Sequence, residues 1–210
     1  LARFFLRRIM KILGLSFSPR VRGNTEILLE AVLASARRLK AETELYRVAG
    51  KEISPCDGCA SCWDTGECHI EDDMQEVYRK MQEADGIIFG TPVYFYNMTA
   101  QGKTVIDRTM ALGRSQKGLI NKVGAVVVVG GSLGLIDAVK DLYFYMIVAR
   151  MLPASFVAAY GVAKGDVKEL PKCMQAARNL GKQIVKIAEK KFKYPKGIES
   201  PHFAFGTHTR

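Results

Sequence analysis

The sequence has no apolar run approaching the roughly 20 uncharged residues that a membrane-spanning helix requires, which argues against a helical membrane protein. It also has no internal repeat and no low-complexity linker, and its 210 residues suit one globular domain. At 48% hydrophobic and 25% charged residues, the composition excludes a disordered or fibrous chain. Several chemical constellations are missing too. There is no Ser/His/Asp arrangement, no paired-carboxylate site, no HExxH helix, no GxxxxGK[ST] loop and no three-glycine dinucleotide fingerprint. No side chain is therefore nominated as a catalytic acid, base or nucleophile.

A formal net charge of +10 raises the question of a polyanion partner, but the charge is unevenly spread. From Lys164 to Arg210 there are eleven basic residues against four acidic ones, whereas Asp64 to Asp85 carries eight acidic residues against Arg79 and Lys80. The middle of the chain is not basic, and no nucleic-acid partner is expected from charge alone. Arg178, Lys182, Lys186 and Lys190 recur at i, i+4 and read as the solvated face of a helix. Arg3, Arg7 and Arg8 before Ile9–Leu15 imitate a signal peptide. However, the run is short, Lys11 interrupts it, and no small-x-small cleavage site precedes Asn24. Met10 reads as a start, residues 1–9 as a disordered leader, and the location as cytoplasmic.

What is present is an alternation of apolar runs and helical periods. Ile12–Leu15, Thr43–Val48, Gly86–Gly90, Val123–Val129 and Phe156–Tyr160 read as strands, with Thr91-Pro92 ending the third. Helices are expected after Asn24 as N-cap, after Asp72 or Asp73, from about Thr99 to Met110, from Ile136 to Ile147, and from Pro171 to about Lys190. Alternating strands and helices imply right-handed crossovers and a parallel sheet. The prediction is an α/β fold: a flavodoxin-like three-layer α/β/α sandwich over residues 10–191, strand order 2-1-3-4-5, with a tail at 192–210. Ligands of such sheets sit beyond the carboxyl ends of the strands, where strand order reverses. Three loops meet there: 16–24, 91–97 and 130–134. The first offers hydroxyls, Arg20 and the free amides of a helix start, the donors a terminal phosphate needs.

Four of the five cysteines fall within thirteen residues, as Cys56-x2-Cys59-x2-Cys62-x5-Cys68 in a loop at 55–69. Scattered pairs would suggest disulfides; a compact cluster suggests a metal in a reducing compartment. On spacing alone, zinc and an iron–sulfur cluster both remain open. His69 is expected to hydrogen-bond at the surface, and Cys173 to be a packed thiol.

Lys11 to Arg20 with Gly23-Asn24-Thr25, Thr91-Pro92-Val93-Tyr94-Phe95 continuing to Ile106-Asp107-Arg108, and Gly130-Gly131-Ser132 together resemble the three flavin loops of NADPH-dependent FMN reductase-type flavoproteins. The resemblance runs from about Met10 to Tyr160. It implies that Ser16, Ser18, Arg20, Asn24 and Thr25 hold the FMN phosphate. Thr91, Pro92, Val93, Tyr94, Phe95, Gly131 and Ser132 would flank the isoalloxazine. Two positions depart from the pattern. Phe17 stands where the family usually has glycine and is expected to narrow the phosphate nest or point into a neighbouring subunit; Gly102 stands where it usually has a larger apolar residue and is expected to soften its helix. The cysteine spacing is similar to that of the family's iron–sulfur flavoproteins, which implies a 4Fe–4S cluster on Cys56, Cys59, Cys62 and Cys68. The expected function is electron transfer between a ferredoxin-like one-electron donor and flavin-reducible acceptors, in a homodimer or homotetramer. The alternatives are a cluster-free NAD(P)H-dependent FMN or quinone reductase and, more remotely, a zinc-stabilised nucleic-acid-binding module.

Overall fold

A computed structural model describes residues 8–114 and 118–195. Apolar runs bounded by glycine and proline form the sheet: β1 (Lys11–Ser16), β2 (Glu42–Arg47), β3 (Gly86–Tyr94), β5 (Val123–Gly130) and β6 (Leu152–Tyr160). They lie parallel in the order β2-β1-β3-β5-β6, and β4 (Asn97–Met98) folds back antiparallel on the end of β3. With β4 set aside, this is the predicted order.

The two faces follow the period of two that strands impose. Leu13, Leu15, Ile87, Phe89, Val126 and Val128 point to one side, where they meet α3 (Met74–Glu83), α4 (Ala100–Arg108), α5 (Met110–Arg114) and α6 (Leu135–Val148). Ile12, Ile88, Val123, Ala125, Val127 and Val129 point to the other, against α1 (Asn24–Arg38) and α7 (Pro171–Glu189). The α1–α7 crossing is close because Gly181 has no Cβ; one there would lie 2.2 Å from the carbonyl oxygen of Val32. A short helix, α2 (Cys62–Thr65), lies in the cysteine loop. The exposed basic stripe of α7 is solvated at Lys182, Lys186 and Lys190, as expected.

Four expectations need correction. Thr91-Pro92 does not end β3, which continues to Tyr94. The Gly90 carbonyl accepts from the Phe17 amide, so Pro92, two residues on, turns its nitrogen to the same side, where β1 has already ended and the Phe17 carbonyl takes the Thr99 hydroxyl instead. The helix expected to reach Met110 stops at Arg108, because Thr109 folds its hydroxyl onto the Ile106 carbonyl (2.6 Å) and its amide onto both Val105 and Ile106. The last strand starts at Leu152, not Phe156, with Pro153 tolerated on the sheet edge opposite Gly124. Asn24 is not an N-cap: that place belongs to Gly23, which supplies no side chain. Residues 1–7 of the expected leader lie outside the described residues, while Arg8 reaches Asp85 (3.5 Å) and the Glu83 carbonyl (3.2 Å). Of the expected tail, 196–210 also lie outside them.

Candidate functional site

The first loop leaves β1 at Ser16. Its side chain is fully buried, and its hydroxyl is one of the few buried polar atoms without a partner among the described residues. Ser18 is buried and accepts the Arg20 amide at 3.1 Å. The Arg20 guanidinium donates to the Val162 carbonyl at 3.2 Å and is otherwise exposed. No side chain caps the first turn of α1, so its positive end stays open to an anion. Thr25, in that turn, is buried.

Asn24 does something the sequence did not suggest. It donates to the Ala163 carbonyl and accepts the Gly165 amide, both at 2.8 Å, and so ties the loop after β6 beside the first loop. That fourth loop was missed; its glycines at 161 and 165 were the available signal. Glu26 was missed as well. Its buried carboxylate accepts from the Arg22 amide (2.8 Å) and Arg47 Nε (3.0 Å) and complements the helix terminus.

Phe17 neither narrows the nest nor points outward. It is fully buried, stacked on Phe89 with ring centroids 6.3 Å apart, and lies over Gly102. A Cβ at Gly102 would come within 2.8 Å of the Phe17 ring. The two departures from the expected pattern are thus one exchange of volume: the large side chain moves from the helix to the loop, and α4 is not softened but packed.

In the second loop, the buried Thr91 hydroxyl donates to the Pro92 carbonyl (2.8 Å) and accepts the Thr99 amide (3.2 Å). Phe95 and Tyr96 form the two-residue turn between β3 and β4, with φ of 46° and 70°. Such turns ordinarily use Asn-Gly, because both residues must be left-handed. Here two aromatics hold that conformation, and Phe95 is 96% exposed. Gly134 of the third loop, at φ 92°, lies so close beneath the turn that a Cβ would meet the Tyr96 carbonyl oxygen at 2.3 Å. Gly131 and Ser132 are exposed beside it. The loops therefore form an open shelf at the carboxyl edge of the sheet. A depression of 1080 Å³ lies at the opposite edge, lined by Met10, Asp85 and Lys122 among others, and none of these loops borders it.

The cysteine segment leaves the sheet beside this shelf, since the Val48 amide donates to the Ser16 carbonyl at 3.0 Å. Cys56 and Cys59 are exposed, and Cys62 and Cys68 are half-buried against the core. The Cys62 thiol is pushed up by burial first and then by charge on Cys68, and more weakly by Cys56 and Cys59. Asp57, Cys59 and His69 converge most tightly, with ligand atoms all within 4.8 Å of one another. His69 Nε2 meets Asp57 at 2.8 Å, the hydrogen-bonding role expected of it. The Cys59 amide and then His69 hold Asp57 below its usual range. Among the described residues no three of the four cysteine sulfurs lie within 4.8 Å of one another, so the loop brings the thiols to one region without closing them around a single ion. Cys173 packs against the α1–α7 core.

The base of that loop rests on Arg108, which sequence reading quoted but assigned no role. Its guanidinium is buried at the end of α4 and donates to the Ser54 carbonyl (2.8 Å), the Ile70 carbonyl (3.0 Å) and both oxygens of Asp72 (2.9 and 3.2 Å). Burial works against its charge, but the Asp72 hydrogen bonds prevail and hold it above its ordinary value. Asp72, desolvated yet bound to Arg108 and to the Ser54 and Met74 amides, stays below its own. The available signal was position: Gly102, Val105 and Arg108 form the buried stripe of α4.

The NADPH-dependent FMN reductase family matches residues 10–163, well over half of the chain. The chain belongs to the NADPH-dependent FMN reductase family. It is an oxidoreductase of the flavoprotein class. An iron-sulfur flavoprotein of Methanocaldococcus jannaschii is 38% identical over 190 residues, covering 86% of this chain and 98% of that protein. One from Methanosarcina thermophila is 36% identical, covering 86% and 96%. Among solved structures, an NAD(P)H:quinone oxidoreductase from Methanothermobacter marburgensis superposes with a TM-score of 0.67 at 14% identity, over 84% of this chain and 99% of that one, which shows the shared fold. The resemblance read from the flavin loops is borne out. No helix among the described residues is long and apolar enough to cross a membrane.

Proposed function

We propose that the protein is an FMN-dependent redox protein that holds a 4Fe–4S cluster on Cys56, Cys59, Cys62 and Cys68 and takes electrons from a ferredoxin-like donor. One observation carries this reading. An unpartnered buried hydroxyl at Ser16 and an uncapped helix terminus lie beside the point where the four-cysteine loop leaves the sheet. Bound FMN would supply two-electron chemistry that can be divided into single steps, and the cluster would supply the one-electron port.

The chain's own residues would bind, orient and shield. Ser16, Ser18, Thr25 and the first-turn amides of α1 would receive the phosphate. Arg20 would provide its counter-charge, and Asn24 would hold the loop at 161–165 against it. Thr91, Pro92, Val93, Tyr94 and Phe95 would lie along one side of the flavin ring, with Gly131 and Ser132 along the other. The strained Phe95-Tyr96 turn supports that role, because strain of this kind persists where a binding surface needs it. Exposed Ile136, Phe144 and Ile147 on α6 support contact with a second copy in a homodimer or homotetramer.

The test is anaerobic purification followed by a visible spectrum with iron, sulfide and flavin analysis. The expected result is one FMN with about four iron and four sulfide per chain. A yellow, iron-free protein oxidising NAD(P)H would replace this reading with a cluster-free reductase. Zinc without sulfide would assign the loop to a single-ion site.

A further inference from the structure

We infer that Arg108 is a positioning residue: it clasps both ends of the cysteine loop to the helix whose other end is tied to the first two flavin loops, and so fixes the four thiols in register with the shelf. The inference deepens the reading above and rests on it for the identity of the metal centre.

The cysteine loop is a long excursion without a strand of its own, and its thiols lie between Ser54 and Ile70. Those two residues offer their carbonyls to opposite arms of a single guanidinium. Asp72 closes the ring, receiving both arms of Arg108 while its Oδ2 accepts the Ser54 amide and its Oδ1 the Met74 amide at the start of α3. A second tie, outside the first, joins Glu52 and Asp73: the Glu52 amide donates to the Asp73 carboxylate, and the Asp73 amide to the Glu52 carbonyl. The loop therefore stands on a closed base, although its tip is exposed.

The far end of α4 is anchored as firmly. Its cap, Thr99, donates its hydroxyl to the Phe17 carbonyl (2.9 Å) in the first flavin loop. It gives its amide to the Thr91 hydroxyl (3.2 Å) in the second. Nine residues at 1.5 Å each make α4 a strut of about 13 Å. One end is fastened to the first and second flavin loops and the other to both ends of the cysteine loop. Tyr78 secures the lower joint by donating to the Arg108 carbonyl at 2.7 Å. A planar fork with several donors is required here, because one group must reach two carbonyls and a carboxylate at once; lysine has the charge but not the span.

The test compares wild type with the double variant Arg108→Met/Asp72→Leu. Replacing both members removes the two buried charges together, whereas removing one partner strands a charge. In the reduced, metal-free chain, Cys62 and Cys68 should react with a thiol reagent at least about tenfold faster in the double variant. After reconstitution with iron and sulfide, iron should be lost to a chelator about 10–100-fold faster, the range found when groups supporting metal ligands are removed. FMN content should stay at the wild-type value and the domain should stay folded, with a lowered denaturation midpoint because the Ser54 and Ile70 carbonyls and the Ser54 and Met74 amides lose their partners. Unchanged thiol reactivity would overturn the inference. So would loss of FMN and of the folded state together with the cluster, since the pair would then hold the domain and not the loop. If wild type takes up no iron–sulfur cluster, the cofactor reading fails by itself; thiol labelling of the metal-free chain still decides whether the Arg108–Asp72 pair positions the loop.

Discussion

Phe17 and Gly102 offer the sharpest quantitative check on the architecture around the first loop. Phe17 is fully buried, and removing such a ring costs about 3–5 kcal/mol from lost burial and the cavity left behind. Gly102→Ala has two opposing effects. Glycine inside a helix is about 1 kcal/mol worse than alanine, so the substitution favours α4 by that amount. Its new Cβ, however, would lie 2.8 Å from Cδ2, 2.9 Å from Cγ and 3.1 Å from Cβ of Phe17. These atoms lie at the base of a side chain stacked on Phe89 and cannot swing away, so overpacking should cost about 1–3 kcal/mol. In the wild-type background Gly102→Ala should therefore be neutral or destabilising, and in a Phe17→Ala background it should stabilise by about 1 kcal/mol. Urea denaturation of the four proteins measures the coupling, expected at about 1–3 kcal/mol. Coupling within about 0.5 kcal/mol of zero, the scatter of independent sites, would refute the claim that the two positions exchange volume.

Ser16→Ala removes a buried hydroxyl with no protein partner, so the apo protein should keep or slightly gain stability while FMN affinity falls about tenfold; an unchanged affinity in a flavin titration would remove Ser16 from the site. Replacing the strained turn, Phe95→Asn with Tyr96→Gly, should raise apo stability by about 1–3 kcal/mol and weaken FMN binding, and a variant with wild-type thermal stability would show that the turn is not strained. The Tyr46 hydroxyl, helped by Lys51, holds Glu76 down to about 2 from an ordinary 4.5. A carboxylate depressed in the folded state contributes stability that is whole above pH 4.5 and disappears as pH falls through about 2. Between those values wild type should lose urea resistance more steeply than Glu76→Gln, and parallel pH profiles would contradict the pairing. The same hydrogen bond, after burial, pushes Tyr46 up to about 12, so its alkaline counterpart should be lost only as pH rises past about 10 towards that value.

Local pattern was enough for much of this protein. Val123–Val129 is apolar at every position, and only a strand covered on both faces can bury such a run; the parallel sheet followed from the alternation of strands and helices, and five such strands suggested the flavodoxin-like order that is observed. The four cysteines and the three strand-end loops could be read because each is a property of residues adjacent in the chain. Long-range contacts decided what remained. Whether Phe17 pointed into the nest or into the core depended on the missing side chain at Gly102, 85 positions later. Asn24 looked like a cap until the loop at 161–165 supplied better partners for both ends of its amide. Arg108 was one arginine among many until folding brought Ser54, Ile70 and Asp72 to its donors. The physical reason is common to all three. Propensity and periodicity act over a few residues and survive in the sequence, but a buried polar group is defined by the partners that satisfy it, and those are assembled only when the chain closes on itself.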